Sequence, residues 1–474
     1  NLDGNDLIMP RVGFLWRPLD RTSISGGVGL FAGGNPQVWI SNAFQAPTVL
    51  ASGNFTNVDP TVIPQELLDE VAAGQPTTID VIDENFDTPS DWRASIRWEQ
   101  GFDARIGNLD LGEDYRFTVQ YLYNRTKDAF LWRNLAQTDL PAALPTGVAP
   151  DGRPIFADLQ ALGISNLTQL TNSGKGESHI FSLALAKAYD WGGNFDISYA
   201  FQDVEAATEG TSSRGISSFR GIVDVNPNDP SSRRSAFEQR HAFKFSFGFE
   251  RRFIADLATR VDIFGQVLSG DLFTAAFDID NDNTLFGRPG DFENPFDNRP
   301  LYIPLPANDP RAVFGSNFDQ AGFFDFVAQE NLPIGQVVAV RGKRSSWNSL
   351  WDLRFQQELP GIPGLSRFVG ENKFKVVFDV ENFPNLIKSS WGTFKEGPGF
   401  GDSPIVRADL VTAADVAANG IDGATALTGD APRLACQSQD DCLFRFNTFR
   451  ERDTSFVVPE QSVYRLRLTL RYDF

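Results

Sequence analysis

The chain is poor in the residues that enzymatic and metal sites most often use. Its 474 residues include one methionine, two histidines and two cysteines. The two cysteines lack the further Cys or His ligands that a zinc site needs. Nucleophilic catalysis requires a base beside the nucleophile, and the histidines, His179 and His241, stand near the starts of strand patterns. We therefore expect the protein not to be an enzyme.

Long apolar runs and excess positive charge are also missing. No run of about 18 apolar residues occurs, which excludes a membrane-spanning helix. The formal net charge is −19 and the sequence pI is about 4.6. Nucleic acid is thus an improbable partner, because phosphate binding requires clustered Lys and Arg.

Aromatic residues, glycine and proline are plentiful instead. The chain holds 42 Phe, 9 Trp, 8 Tyr, 41 Gly and 28 Pro. Length alone suggests about three soluble domains of roughly 150 residues, and the mean hydropathy of −0.24 is compatible with a soluble protein. It is equally compatible with a membrane β-barrel, because only alternate strand residues face lipid.

The last thirteen residues, SVYRLRLTLRYDF, alternate strictly between two kinds of side chain. Arginines at 465, 467 and 471 lie on one side of a strand, and tyrosines, leucines and the final Phe474 lie on the other. A half-buried strand of a soluble sandwich fits this alternation. A strand of an outer-membrane barrel, apolar toward lipid and polar toward the lumen, fits it equally well.

The same alternation recurs along the whole chain. With the last segment it predicts about eleven strands, many of the roughly 9 to 11 residues that a tilted membrane strand needs. Ordinary strands average about five or six residues, so these lengths favour a barrel. The other segments are PRVGFLWR, TSISGGVGLFAG, DWRASIRWEQGF, DYRFTVQYLYN, SHIFSLALAKAY, NFDISYAFQD, RHAFKFSFGFE, ATRVDIFGQVLSG, SWNSLWDLRFQQE and KFKVVFDVEN.

Short and long links alternate between these segments. The short links span 18–22, 103–113, 189–194, 251–256 and 360–372, and the long links span 34–90, 125–177, 203–236, 270–345 and 388–459. Outer-membrane barrels have short periplasmic turns and long extracellular loops. The sequence therefore predicts an all-β transmembrane antiparallel barrel with long extracellular loops.

The cost of burying charge in lipid assigns the two faces. An Arg on the lipid face costs about 2–4 kcal/mol, so three misplaced arginines in the last strand would cost as much as a whole domain's stability. We therefore expect the aromatic side to face lipid and the charged side to face the lumen or a plug. The predicted lumenal residues are Arg93, Arg97, Glu99, Arg116, Lys244, Arg260, Asp262, Asp352, Arg354, Lys375, Asp379, Glu381, Arg465, Arg467 and Arg471.

Several stretches resemble the C-terminal part of TonB-dependent outer-membrane transporters of the Oar-like group. They are IMPRVGFLWRPLDRTSISGGVGLFAGGNPQVWISNAF, DVIDENFDTPSDWRASIRWEQGF, YLYNRTKDAFLWRNL, EQRHAFKFSFGFERRF, WDLRFQQELPGIPG and KVVFDVENFPNLIKSSWG, followed by the terminal strand. The resemblance implies a barrel of roughly 22 strands, a plug and a segment that binds TonB. Residues 1–474 would then be the C-terminal part of the barrel, and the plug and the first barrel half would not be in this sequence.

Three features of the links suggest more local roles. Asp278, Asp280 and Asp282 have the spacing of a calcium turn, although the glycine and distal glutamate of a calcium loop are missing, and a solvated turn is the alternative. Cys436 and Cys442 are placed to form a local disulfide, which implies an oxidising compartment, although two free thiols are the alternative. No Lys or Arg occurs between Gly34 and Ser90, which indicates a solvated surface or capture of a basic or metal-bearing ligand.

These features predict active, TonB-energised passage of a peptide, protein or chelate across the bacterial outer membrane. The expected partners are the lipid bilayer, the plug, the TonB complex and lipoprotein or periplasmic subunits, and the only expected cofactor is Ca²⁺ in a loop. The alternative function is a membrane anchor whose acidic loops bind other envelope components. A barrel enzyme is a third hypothesis, for which the histidines give little support.

Overall fold

The computed structural model describes residues 6–33, 37–44, 59, 61–72, 79–107, 109–138, 144–164, 166–279, 285–288, 299–364, 366–369, 372–398, 402–451 and 455–474. Its strands are numbered in chain order. The first thirteen are β1 (Arg11–Leu19), β2 (Thr22–Ala32), β3 (Ile79–Ile82), β4 (Ser90–Ile106), β5 (Leu109–Asn134), β6 (Gly147–Val148), β7 (Pro154–Ile155), β8 (Leu167–Ser173), β9 (Gly176–Ala188), β10 (Gly193–Ala206), β11 (Arg233–Arg234), β12 (His241–Ile254) and β13 (Leu257–Leu268).

The remaining strands belong to the second half of the chain. They are β14 (Leu272–Phe277), β15 (Tyr302–Ile303), β16 (Ala312–Phe314), β17 (Gln336–Val337), β18 (Lys343–Arg344), β19 (Asn348–Pro360), β20 (Lys373–Glu381), β21 (Lys395–Glu396), β22 (Asp402–Thr412), β23 (Cys442–Phe449), β24 (Phe456–Val457) and β25 (Arg465–Asp473).

The helices are short, and each belongs to a link between long strands. They are α1 (Gln37–Asn42), α2 (Gln65–Ala72), α3 (Leu135–Thr138), α4 (Gly215–Arg220), α5 (Gln320–Gln329), α6 (Ser366–Val369), α7 (Phe383–Ile387), α8 (Ala413–Asn419), α9 (Ala431–Ala435) and α10 (Pro459–Ser462). Within the described ranges, none of them has the length and apolar character that crossing a membrane requires.

Eleven long strands form one antiparallel meander, which we call the main sheet. Its order is β1-β2-β4-β5-β9-β10-β12-β13-β19-β20-β25. Each of the segments predicted to be strands from their alternation forms one of these strands. Aromatic and β-branched residues favour the extended backbone, and Pro18 and Pro360 stand at strand ends, where a missing amide costs little.

The links alternate between short and long, as predicted. Two of the predicted links have different boundaries in the structure. Five short links leave one edge of the main sheet and five long links leave the other, which we call the short-link edge and the long-link edge. The predicted link 103–113 is mostly strand, because β4 and β5 continue to a tight turn near Gly107. The predicted link 125–177 begins later, because β5 continues to Asn134 and pairs there with β8.

The pairing register places alternate residues of each strand on the same face of the main sheet. Ile96 lies opposite Tyr121, Tyr121 opposite Phe181, and Phe181 opposite Phe201. Arg97 lies opposite Gln120, and Gln120 opposite Ser182. In the described pairs of the main sheet, the register shifts only near strand ends, so the central part of the sheet has one aromatic face and one polar face.

The buried cores lie in the long links. One core joins residues of three links, including Ile155, Phe277, Phe323 and Phe444, around a five-stranded sheet of order β16-β23-β22-β14-β18. A second core surrounds Trp132. The aromatic face of the main sheet, in contrast, is solvent-accessible: Tyr121 is 37% exposed and Leu468 is 73% exposed. A soluble protein would bury such a face.

Candidate functional site

The fifteen residues predicted to be lumenal all lie on the polar face by register. Arg93 lies opposite Asn124, Arg260 opposite Gln356, and Asp352 opposite Phe264. The face therefore combines charges contributed by seven strands, from β4 to β25.

Charges near the C-terminal strands are paired with one another. The Arg354 Nε atom is 2.6 Å from Asp379, and the Arg467 guanidinium is 3.2 Å from Glu381. Arg260 Nε donates to Asp262 at 2.8 Å within the same strand, whereas the other two pairs join different strands. The wall of this region is thus cross-linked by its own ion pairs between neighbouring strands.

Lys375 and Arg471 extend this pairing toward the short-link edge. The Lys375 Nζ atom is 2.8 Å from Asp473, and Arg471 Nε is 2.5 Å from the same carboxylate. Arg465 lies 3.8 Å from Glu381. All of these arginines are well exposed, so each pair contributes little to stability and the charged surface remains accessible.

The N-terminal strands carry a second group of pairs. Arg97 lies 2.7 Å from Glu99, and Arg93 lies 3.2 Å from Asp91. Arg116 and Lys244 differ from the others: both are exposed, and neither forms an ion pair with any residue in the described ranges. These two cations keep their full capacity to bind an anion.

Three adjoining depressions of about 620, 700 and 760 Å³ lie along the polar face. Asp196 borders all three. Small side chains on β9, β10 and β12 leave this space. Ala186 on β9 lies opposite Arg116, and Ser198 on β10 lies opposite Lys244. The depressions have the size of small-ligand sites.

Selection by charge missed part of this site. Gln120 and Gln266 line the depressions but are uncharged, and Asp196, although charged, was not among the residues predicted to be lumenal. The alternation itself places Gln120 and Asp196 on the polar face. Their odd or even position along the strand could therefore have identified them, whereas selection by charge did not.

Both histidines lie on the aromatic face and contact tyrosine. His179 Nδ1 is 2.7 Å from the Tyr121 hydroxyl, and His241 Nδ1 is 2.9 Å from the Tyr199 hydroxyl. Trp347 stacks on His241 at 5.6 Å between ring centroids. These rings form a belt near the long-link edge, which is the position of aromatic girdles in membrane barrels.

The predicted metal and disulfide residues lie in the long links. Asp278 is 3.9 Å from Arg407, whereas Asp280 and Asp282 lie outside the described residues. No cluster of metal-binding side chains occurs in the part of the chain that the structure describes. Cys436 and Cys442 are joined by a disulfide, and both are fully buried beside the core of the five-stranded sheet.

The acidic link between β2 and β4 is partly ordered by its own carboxylates. Asp83 accepts hydrogen bonds from the Asn85 amide and the Thr171 hydroxyl, and these bonds hold the pKa of Asp83 below its usual value. Burial raises the pKa of Asp80, although a hydrogen bond from Thr168 opposes this. At least part of this acidic segment therefore fixes the link and is not free to bind a ligand.

A protein-family model matches more than half of the chain. Residues 3–270 match the model of the outer membrane beta barrel domain family. Among solved structures, the outer membrane transporter YddB from Escherichia coli is similar at 11% identity and a TM-score of 0.37. The match covers 87% of this chain and 38% of that one. The comparison with curated proteins finds no match.

The family and the exposed aromatic face agree on the surroundings of the main sheet. In an outer-membrane barrel, lipid covers the apolar, outward-facing side of such a sheet. The protein is located in the bacterial outer membrane, where it contacts the lipid bilayer. By its match over more than half of its length, the chain belongs to the outer membrane beta barrel domain family.

Proposed function

We propose that the protein is a TonB-energised outer-membrane transporter and that the main sheet is part of its barrel wall. The observation that carries this proposal is a sheet with one aromatic and one charged face, both accessible, and with its cores confined to the links on one edge. In this function the aromatic face contacts lipid, the polar face contacts a plug and the substrate path, and the links lie outside the cell.

The free edges of the main sheet support a larger barrel. Among the described residues, β1 pairs only with β2, and β25 pairs only with β20. Unpaired backbone groups in hydrocarbon cost several kcal/mol each. Because β1 and β25 run in the same direction, they cannot close the meander by an antiparallel pair. We propose that further strands complete a barrel of roughly 22 strands.

The polar face has the character expected of a wall that touches a plug. Its paired charges are exposed and supply donors and acceptors without leaving buried charge. The depression over the small residues of β9, β10 and β12 leaves room for the substrate path beside such a plug. The chemistry that we propose is binding and gating, without enzymatic catalysis or a required cofactor.

The folded links support recognition of a specific substrate at the outer surface. A disulfide, a five-stranded sheet and buried ion pairs make this layer rigid. Rigid loops recognise ligands with less loss of entropy than mobile ones. Among peptides, proteins and chelates, we favour peptides or proteins as substrates. The calcium hypothesis for Asp278, Asp280 and Asp282 stays a prediction.

Uptake in matched strains tests this function. The full-length protein is expressed in a Gram-negative host with and without a functional TonB, and the entry of a fluorescein-labelled tryptic peptide mixture and of a ferric chelate is measured. We expect entry of the peptides only when TonB is functional. Equal entry in both strains would indicate passive diffusion, and absence of entry for every probe would favour the surface-anchor alternative.

A further inference from the structure

The largest of the three depressions is distinguished by unused hydrogen-bonding capacity. Its volume is about 760 Å³, and it is bordered by residues of β4, β5, β9, β10, β12 and β13. Arg116, Gln120, Lys244 and Gln266 line it, and their side chains form no hydrogen bond or ion pair with any other residue that the structure describes. Elsewhere on the polar face most cations are paired, as Arg354 is with Asp379.

The charges in the depression are spread over a defined distance. Arg116 lies opposite Ala186, which lies opposite Asp196, so two strand spacings of about 4.8 Å separate Arg116 from Asp196. Lys244 lies opposite Ser198, three strands from β5, which is roughly 14 Å across the sheet. An extended peptide advances about 3.3 Å per residue, so three or four residues span this distance.

The neutral groups between the charges match a peptide backbone. Gln120 and Gln266 each offer an amide donor and an acceptor, and Ser198 offers a hydroxyl. Such groups pair with backbone N–H and C=O groups. Lys and Arg bind carboxylates by charge-assisted hydrogen bonds, which are the stronger kind. A free peptide carboxylate is thus the anion that this lining fits.

We propose that this depression binds a short extended stretch of a transported peptide, with its free carboxylate held by Lys244 or Arg116. This inference rests on the proposed transport function and names its substrate class and contact residues. The size of the depression supports a small ligand, because such sites measure about 300–1,000 Å³. A folded domain would need a contact of roughly 800 Å², which extends well beyond these residues.

Binding to the purified full-length protein tests the site without any need for energy coupling. The probes are trialanine and trialanine amide, which differ only in the terminal carboxylate, and affinity is measured by calorimetry. We expect the wild type to prefer trialanine. One of the two variants, Lys244→Gln or Arg116→Gln, should weaken trialanine binding by roughly tenfold, because it removes the charge-assisted hydrogen bond to the single carboxylate. Neither should weaken binding of the amide.

Arg471→Gln is the matched control, because Arg471 lies on the same face but borders none of the three depressions. It should leave both affinities unchanged. Equal affinity of the wild type for the two probes, or an equal loss in the control, would overturn the inference. So would the absence of trialanine binding to the wild type, and photo-crosslinking from position 120 to the protein's own plug would then assign the depression to the plug.

The two proposals fail in different ways. If the carboxylate preference is absent while uptake of the peptide mixture still requires TonB, the transport function stands and the site assignment fails. If the preference and its loss in one of the two variants are observed while uptake does not require TonB, the site stands and energy coupling fails. Calorimetry and uptake are therefore measured on the same set of variants.

Discussion

At the scale of the residue, parity along a strand decides the surroundings of a side chain. Leu468 and Thr469 are neighbours in β25, yet Leu468 lies opposite Phe378 on the aromatic face and Thr469 lies opposite Val377 on the polar face. The backbones of both residues pair with the same strand, β20. Only the surroundings of the two side chains differ, and this allows a matched pair of substitutions.

We expect Leu468→Arg to destabilise the protein by about 2–4 kcal/mol, because it places a charge on the lipid face. Thr469→Arg adds the same side chain on the polar face and should lower the free energy of unfolding by less than about 1 kcal/mol. Stability is measured by urea titration of the full-length protein refolded into lipid vesicles. Equal costs for the two variants would contradict the assignment of the faces.

The turn between β9 and β10 depends on one glycine. Gly192 has a φ of +99°, and a Cβ atom there would lie 1.9 Å from the Glu250 carbonyl oxygen. Gly107, in the turn between β4 and β5, also has positive φ, but its Cβ would have open space. Gly192→Ala should therefore lower the folded yield more than Gly107→Ala, which costs about 1–2 kcal/mol from its backbone alone. Heat-modifiability on gels measures that yield.

At the scale of the element, buried ion pairs fasten the long links to each other. Glu209, in the link after β10, pairs with Arg341 and lies 3.8 Å from Arg233. All three side chains are almost fully buried. The link between β10 and β12 is thus held to the link between β13 and β19, and the two are expected to move together.

We expect Glu209→Gln to destabilise this layer by about 3–5 kcal/mol, because it removes the negative charge that compensates two buried cations. Asp229→Asn breaks the exposed pair with Lys175 and should cost at most about 1 kcal/mol. Limited proteolysis of the links in intact vesicles measures the difference. Unchanged protease resistance in the Glu209 variant would show that the links are not fastened in this way.

The sequence predicts the elements of the main sheet far better than the layer formed by the links. The signal for β12 is local, because each Phe follows the last by two residues. The five-stranded sheet has no such signal: β14 pairs in parallel with β22, which lies more than a hundred residues later, and β18 has two residues. Long-range pairing of short strands is a property of packing, so periodicity cannot predict it.

For the candidate site, the sequence predicts the face of each residue but not its ion pairs. The faces of Arg93, Arg354 and Arg467 follow from alternation, and all lie on the polar face. Which cations remain unpaired could not be predicted, because pairing depends on the register of neighbouring strands. Arg354 lies opposite Asp379, whereas Arg116 lies opposite Ala186. That register is set by links whose lengths give no direct measure of it.

At the scale of the whole molecule, the main sheet separates two environments and the links cover one end. The distribution of charge follows the same division. The polar face carries residues of both signs, whereas all charged residues from Gly34 to Ser90 are acidic. Of the fifteen charged residues predicted to be lumenal, ten are basic and five are acidic, so the polar face does not share the acidic excess of the long-link edge. In the proposed transport function, an acidic outer surface would attract cationic groups of a substrate before they reach the lumen.

A spin-label scan of β10 tests the central claim most directly. Nitroxides are placed singly at positions 195 to 202 of the full-length protein in lipid vesicles, and collision rates with oxygen and with a water-soluble nickel complex are measured. The account predicts high oxygen access at 195, 197, 199 and 201 and the reverse at 196, 198, 200 and 202. Low access to both reagents at the odd positions, as in a packed soluble core, would contradict it.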